Sequence, residues 1–295
     1  MQNEVMIGID RLSVSFGSTR ALNIKTPLNI NRGDKVAIIG SNGAGKSTLI
    51  NALLDIVPYE GELHKAVGNE RIGVHLQSNK YNTFLKVKDI IETILDDKLD
   101  NLPKAQELIT FFHFTESLNK RFEQLSGGQK QRLTLILVLS QQTELVFFDE
   151  VTTGLDFETR QDLINLINRW YEGKQVTLCY VTHYYEEIED LATKVLLLEK
   201  GEVIAYGSKE ELFEKYCGKG IIVLKNTPQA QEICKDFRRL ESPPQDIALS
   251  FHSSEEEQDI VDALRIHNID YKRSSNDVEI MSTNAKSAWI KENQK

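Results

Sequence analysis

The stretch Gly40-Ser41-Asn42-Gly43-Ala44-Gly45-Lys46-Ser47-Thr48 has the residue types needed to hold a chain of phosphates. Its glycines let the backbone wrap close to anionic oxygens, with successive N–H groups turned inward. Lys46 can reach β- and γ-phosphates, and the Ser47 hydroxyl can ligate Mg²⁺. A second group, Leu145-Val146-Phe147-Phe148-Asp149-Glu150, is an apolar run ending in two carboxylates. Beside such a loop, Asp149 suits the Mg²⁺ shell and Glu150 suits the attacking water. A third, Leu125-Ser126-Gly127-Gly128-Gln129, opens a helical segment and so offers further backbone N–H groups to an anion. His183 follows the apolar end of another run, Val181-Thr182.

These groups need elements to carry them. Residues 36–39 read as the strand before the phosphate loop and residues 49–56 as the helix after it. The run ending in Asp149 is expected to lie beside that strand. Residues 5–16 alternate as a strand, and residues 24–30, 61–64 and 71–76 read as further strands. From 77 to about 124 the pattern turns helical, with apolar spacing over 87–95 and 104–112. Helices are expected over 129–142, 157–171 and 185–192, and strands over 144–148 and 175–182. Lys200-Gly201 turns a hairpin between 195–198 and 202–206. Ser208-Lys209-Glu210-Glu211 is a capping-box start for a helix ending near Cys217. Strands alternating with helices give an α/β protein, a mostly parallel sheet covered on both faces.

A new unit begins near Gly218-Lys219-Gly220. Strands over 221–224, 246–251 and 278–281 and helices over 228–240 and 254–267 make it a small α+β sandwich. Glu255-Glu256-Glu257 complements the dipole at a helix start. His252 and His267 have no acid or cysteine at ligand spacing, so no catalytic constellation is expected there.

Composition bounds the rest. The 295 residues are 40% hydrophobic and 27% charged, with a net charge of −9, the balance of a globular chain without the basic footprint of a nucleic-acid binder. Cys179, Cys217 and Cys234 are few and widely spaced, which excludes a disulfide framework or zinc spacing and points to inert reduced thiols. The start Met1-Gln2-Asn3-Glu4 lacks the pattern of a signal peptide, and no apolar run is long enough to span a bilayer. A cytoplasmic protein without direct membrane insertion is expected, reaching a membrane only through a partner.

The loop Gly40–Thr48, Ser126-Gly127-Gly128-Gln129 and Phe148-Asp149-Glu150, in that order, resemble the ATP-binding cassette (ABC) ATPases over about residues 5–215. The resemblance implies a P-loop cassette with an antiparallel β subdomain and a helical insertion at about 78–127. It implies ATP and Mg²⁺ as ligands, and a head-to-tail dimer, either a homodimer or a pair with another ABC ATPase subunit. Two ATPs would then lie between the P-loop of one subunit and Ser126, Gly127 and Gly128 of the other. Phe16 matches the aromatic that stacks on adenine, and Gln77 the residue that touches Mg²⁺ and water. Thr153-Gly154-Leu155-Asp156 matches the loop crossing the interface, and His183 the switch that senses the γ-phosphate. Val151 departs from the family's usual Pro. The implied catalytic set is Glu150, His183, Lys46 and Gln77, with Ser47, Gln77 and Asp149 at the metal.

The resemblance further implies an ATPase subunit that powers separate transmembrane permease subunits at the cytoplasmic face. Residues 148–187 look most like the bacterial exporter branch. The competing reading is a soluble ABC ATPase of assembly or remodelling, such as the iron–sulfur type. Residues 1–218 are expected to be the ATP-binding domain, and 219–295 a regulatory or dimer-stabilising domain placed after the whole ATP site.

Overall fold

The computed structural model describes residues 4–75, 81–141 and 143–293. The cassette begins with β1 (Val5–Phe16), β2 (Thr19–Ile24), β3 (Leu28–Asn31) and β4 (Lys35–Gly40), followed by α1 (Lys46–Leu53), β5 (Glu60–Lys65) and β6 (Ile72–His75). The expected single strand over 24–30 is two strands, because Pro27 cannot donate to a ladder and the chain turns there. The long β1 pairs antiparallel with β2, β3 and β5, forming the antiparallel subdomain.

Next come α2 (Val87–Ile94), α3 (Pro103–Phe111), α4 (Gly127–Ser140), β7 (Leu145–Asp149), α5 (Phe157–Tyr171) and β8 (Thr177–Val181). They are followed by α6 (Tyr185–Leu191), β9 (Lys194–Glu199), β10 (Glu202–Ser208) and α7 (Lys209–Cys217). The central sheet runs β10-β9-β4-β8-β7-β6, parallel except for the β9–β10 hairpin. Side chains alternate across it. Ala37 and Ile39 join the core under α4, α5 and α6, whereas Val36 and Ile38 join the core under α1 and β1. Thus β4 is apolar on both faces, as a buried parallel strand must be.

The C-terminal unit comprises β11 (Gly220–Lys225), α8 (Pro228–Ile233), β12 (Arg239–Leu240), β13 (Asp246–Phe251), α9 (Ser254–Ile266), β14 (Tyr271–Ser274) and α10 (Val278–Asn293). Its sheet is antiparallel, in the order β12-β13-β11-β14. Two expectations are corrected here. The helix over 228–240 stops at Ile233, and Arg239–Leu240 instead pairs with β13. The strand over 278–281 is the start of α10, where Asp277 Oδ1 accepts from Ile280 N at 2.9 Å. Val278, Met281 and Ala285 fall at helical spacing and are buried.

One face of this sheet packs Ile222, Leu224, Leu249 and Phe251 against Ile260 and Leu264 of α9. The other face joins the cassette. Ile221, Ala248 and the buried residues of α10 share one core with Phe213 and Cys217 of α7, and α10 also lies against α6 and β10. The C-terminal unit is therefore fastened to the cassette along an apolar seam. All three cysteines are buried and free.

Candidate active site

The C-terminal ends of parallel strands in an open sheet face one crevice, where α/β folds bind ligands. Here β4 ends at Gly40, β7 at Asp149 and β8 at Val181. The strand order corrects one expectation: β8 lies between β4 and β7, so the carboxylate strand does not adjoin the phosphate-loop strand. Asp149 still reaches the loop, with its Oδ2 accepting from Ser47 Oγ at 3.4 Å.

The loop's backbone explains its glycines. Gly45 has φ of 104°, and a Cβ there would stand 2.6 Å from Leu22 Cδ2 and 3.0 Å from Ala21 O. At Gly40 a Cβ would meet Leu198 O of β9 at 2.2 Å. Lys46 is buried and its Nζ donates to Gly40 O at 2.8 Å and Ser41 O at 3.2 Å, so the ammonium is folded back into its own loop. Burial lowers its pKa from the usual value, opposed by the charges of Glu150, Asp149 and Glu199. A γ-phosphate at the loop would supply the anion that this arrangement favours.

Asp149 is buried, and burial together with Glu150 raises its pKa above the ordinary carboxylate range. A buried carboxylate short of positive charge beside the Ser47 hydroxyl offers the hard oxygen ligands that Mg²⁺ prefers. Among the described residues no group of three His, Cys, Asp or Glu could hold a metal by itself. A cation here would therefore share its shell with substrate phosphates, as Mg²⁺ does in such sites. Ser47 and Asp149 fit that role; Gln77 lies outside the described residues.

Glu150 stands on strained backbone, with φ of 52°, where a non-glycine residue is uncommon. It is held there by Glu150 N donating to Val181 O at 3.0 Å and Thr153 N donating to Glu150 O at 3.1 Å. Its Oε1 lies 2.8 Å from His183 Nε2, and its Oε2 accepts from Thr153 Oγ1 at 3.2 Å. Two expected site residues, from separate strands, thus meet directly.

Sequence reasoning missed what fixes these two loops. Glu187 on α6 is buried and accepts from Thr152 Oγ1 at 2.5 Å and from Thr182 Oγ1 at 2.6 Å. One carboxylate thus ties the residue two beyond Glu150 to the residue before His183. Burial raises its pKa, opposed by the two hydroxyls and by Arg160. The threonines flanking Glu150 and His183 were the available signal.

Ser126 caps α4: its Oγ accepts from Gln129 N at 3.2 Å, and Gln129 Oε1 accepts from Ser126 N at 3.1 Å. Ser126 and Gly127 are exposed, whereas Gly128 is packed so that a Cβ would stand 2.6 Å from Thr159 Cγ2. Asp156 uses both carboxylate oxygens on Thr159, capping α5. Phe16, expected against adenine, is exposed. Val151, the departure from the family pattern, is buried in the main core.

The ABC transporter family model matches residues 25–153. The methionine import ATP-binding protein MetN of Clostridium tetani is 28% identical, covering 90% of this chain and 86% of that protein. A probable sulfate/thiosulfate import ATP-binding protein, CysA of Chlorella vulgaris, is 31% identical, covering 69% of this chain and 92% of that protein. Among solved structures, cbiO1 from Clostridium perfringens, part of the ABC transporter complex cbiONQ, has a TM-score of 0.64 at 23% identity, covering 72% of this chain and 92% of that one. Its fold is that of the cassette. Both sequence relatives carry import names, and they do not support the exporter reading of residues 148–187.

Proposed function

The chain belongs to the ABC transporter family, and on that premise we propose that it is the ATP-hydrolysing subunit of an importer whose membrane-spanning subunits are separate chains. The His183–Glu150 contact carries the reading, because it sets a base and its holder at the strand ends that face Lys46. The P-loop residues Gly40 to Thr48 bind the triphosphate, and Lys46 turns from its own carbonyls to the β- and γ-phosphates. Glu150 polarises the in-line water while His183 fixes the carboxylate and contacts the γ-phosphate. Ser47 and Asp149 would hold Mg²⁺, which would supply positive charge to the phosphates. Phe16 offers its exposed ring to adenine.

Ser126 and Gly127 are exposed at a capped helix start, with Gly128 packed beneath them, which supports this segment acting on the nucleotide of a second subunit in a head-to-tail dimer. Gln77 and Asp156 complete the site in this reading. Residues 1–218 form the ATP-binding domain, with the insertion at about 78–127, and 219–295 act on it as a regulatory or dimer-stabilising domain. Among the described residues no helix is long and apolar enough to cross a membrane, and the chain works at the cytoplasmic face through its permease.

Co-expression with the flanking reading frames tests this. The chain should fractionate with membranes only when they are present, and its deletion should impair growth on a limiting nutrient. A chain that stays in the soluble fraction beside those partners would favour an assembly ATPase. Sensitivity to an exported toxin without a growth defect would reverse the proposed direction.

A further inference from the structure

A cavity of about 350 Å³ separates the phosphate loop from α10, with Ser41 and His183 on one side and Ser282 and Lys286 on the other. Glu199, at the end of β9, joins the two sides. Its Oε2 accepts from Ser41 Oγ at 3.0 Å and lies 2.9 Å from Lys286 Nζ. The Glu199 side chain is only 9% exposed and that of Lys286 is 41% exposed, so the cation is the flexible, solvated member. Ser41, which Glu199 holds by its hydroxyl, also accepts from Lys46 Nζ through its carbonyl at 3.2 Å, so the carboxylate and the loop's ammonium meet on one residue. Lys286 itself is carried by a helix whose Met281 and Ala285 are locked into the core shared with α7.

We propose that Lys286 is a positioning residue of the nucleotide site, coupling the C-terminal domain to the P-loop through Glu199. With Lys286 in place, the Glu199 carboxylate is neutralised and serves to anchor Ser41 at the start of the loop. Without it, a buried negative charge faces the phosphate site and competes for Lys46, opposing ATP. Any movement of α10 that draws Lys286 away therefore weakens ATP binding, and this is a route by which the C-terminal domain regulates the cassette. The inference rests on the ATP-binding reading above.

The test is steady-state hydrolysis and fluorescent ATP-analogue binding by the full chain. Lys286→Met should raise the KM for ATP about two- to fivefold, the scale of a partly exposed ion pair, with kcat little changed. The shift should shrink at high salt, because the interaction is electrostatic. Lys286→Arg should restore the wild-type KM. The double variant Glu199→Gln/Lys286→Met should also restore it, since the amide still accepts from Ser41 without the charge. An unshifted KM for Lys286→Met, or a shift that persists in the double variant, overturns the proposal. Should Lys286→Met fail to fold, Glu199→Gln alone decides, because it should lower KM and a raised KM overturns the idea. A folded wild-type chain that binds no ATP would instead sink the ATP-binding reading, and this proposal with it.

Discussion

His183 Nε2 and Glu150 Oε1 stand 2.8 Å apart, bridging the ends of the neighbouring parallel strands β7 and β8. The register pairs Asp149 with Val181, so the residues one and two positions further on converge without any distortion of the sheet. Asp149 and Glu150 then leave β7 in succession, with the backbone of Glu150 turned left-handed.

Glu150→Gln should keep ATP binding and lower kcat by about 10²–10⁴-fold, the usual worth of a positioned base. Losing the charge beside the γ-phosphate should also favour the closed dimer, visible by size-exclusion chromatography with ATP. A hydrolysis rate close to wild type would show that Glu150 is not the base.

Lys46→Ala should abolish ATP binding, whereas Ser126→Arg should leave monomeric binding intact and block hydrolysis. An equal mixture should recover part of the activity, because one composite site then has an intact P-loop facing an intact Ser126. Failure of the Ser126→Arg monomer to bind ATP would count against action in trans.

Asp149→Asn should stabilise the nucleotide-free chain while removing Mg²⁺-dependent hydrolysis. Asp149 is raised above its ordinary value by burial and by Glu150, so the native state binds its proton more tightly than the unfolded chain does. Its ionisation therefore costs stability as pH rises from the ordinary aspartate range through the raised value. At neutral pH the amide should raise the melting temperature by about 2–4 °C, the shift expected for roughly 1 kcal/mol in a domain of this size. That gain should fade on acidification towards the ordinary range; a gain that stays constant with pH would refute the cause given.

Glu187→Ala should cost about 1–3 kcal/mol, because it strands the buried hydroxyls of Thr152 and Thr182. Since these threonines flank Glu150 and His183, kcat should fall more than ATP affinity. Chemical denaturation and steady-state kinetics check both halves, and a stable variant with wild-type kcat would deny Glu187 its positioning role.

Elements with long periodic patterns were legible in the sequence. Phe157–Tyr171 has the expected helix bounds, with Leu163, Ile164, Ile167 and Trp170 buried. Short apolar runs were not, since four residues such as Val278–Met281 satisfy either period and only the docking of α10 on α7 decides. The site divides in the same way. Lys46, Ser47, Asp149, Glu150 and His183 were recognisable as candidates because phosphate chemistry restricts residue type at fixed local spacing. Glu199, Lys286 and Glu187 were not, because their partners come from remote elements and nothing in a lone Glu or Lys marks it. The order of β4, β8 and β7 was equally hidden, being set by crossover connections rather than by any strand's own residues.

The three buried cysteines have a practical meaning for work on the motor cycle. Burial pushes the Cys217 thiol up to about 12 and raises Cys179 and Cys234 as well, so almost no thiolate exists at neutral pH. Maleimides and other electrophiles should pass the folded chain by. A single cysteine introduced at an exposed position such as Phe84 would then be the sole labelled atom in an otherwise silent background, ready to report opening and closing by fluorescence or spin resonance without first stripping the native thiols.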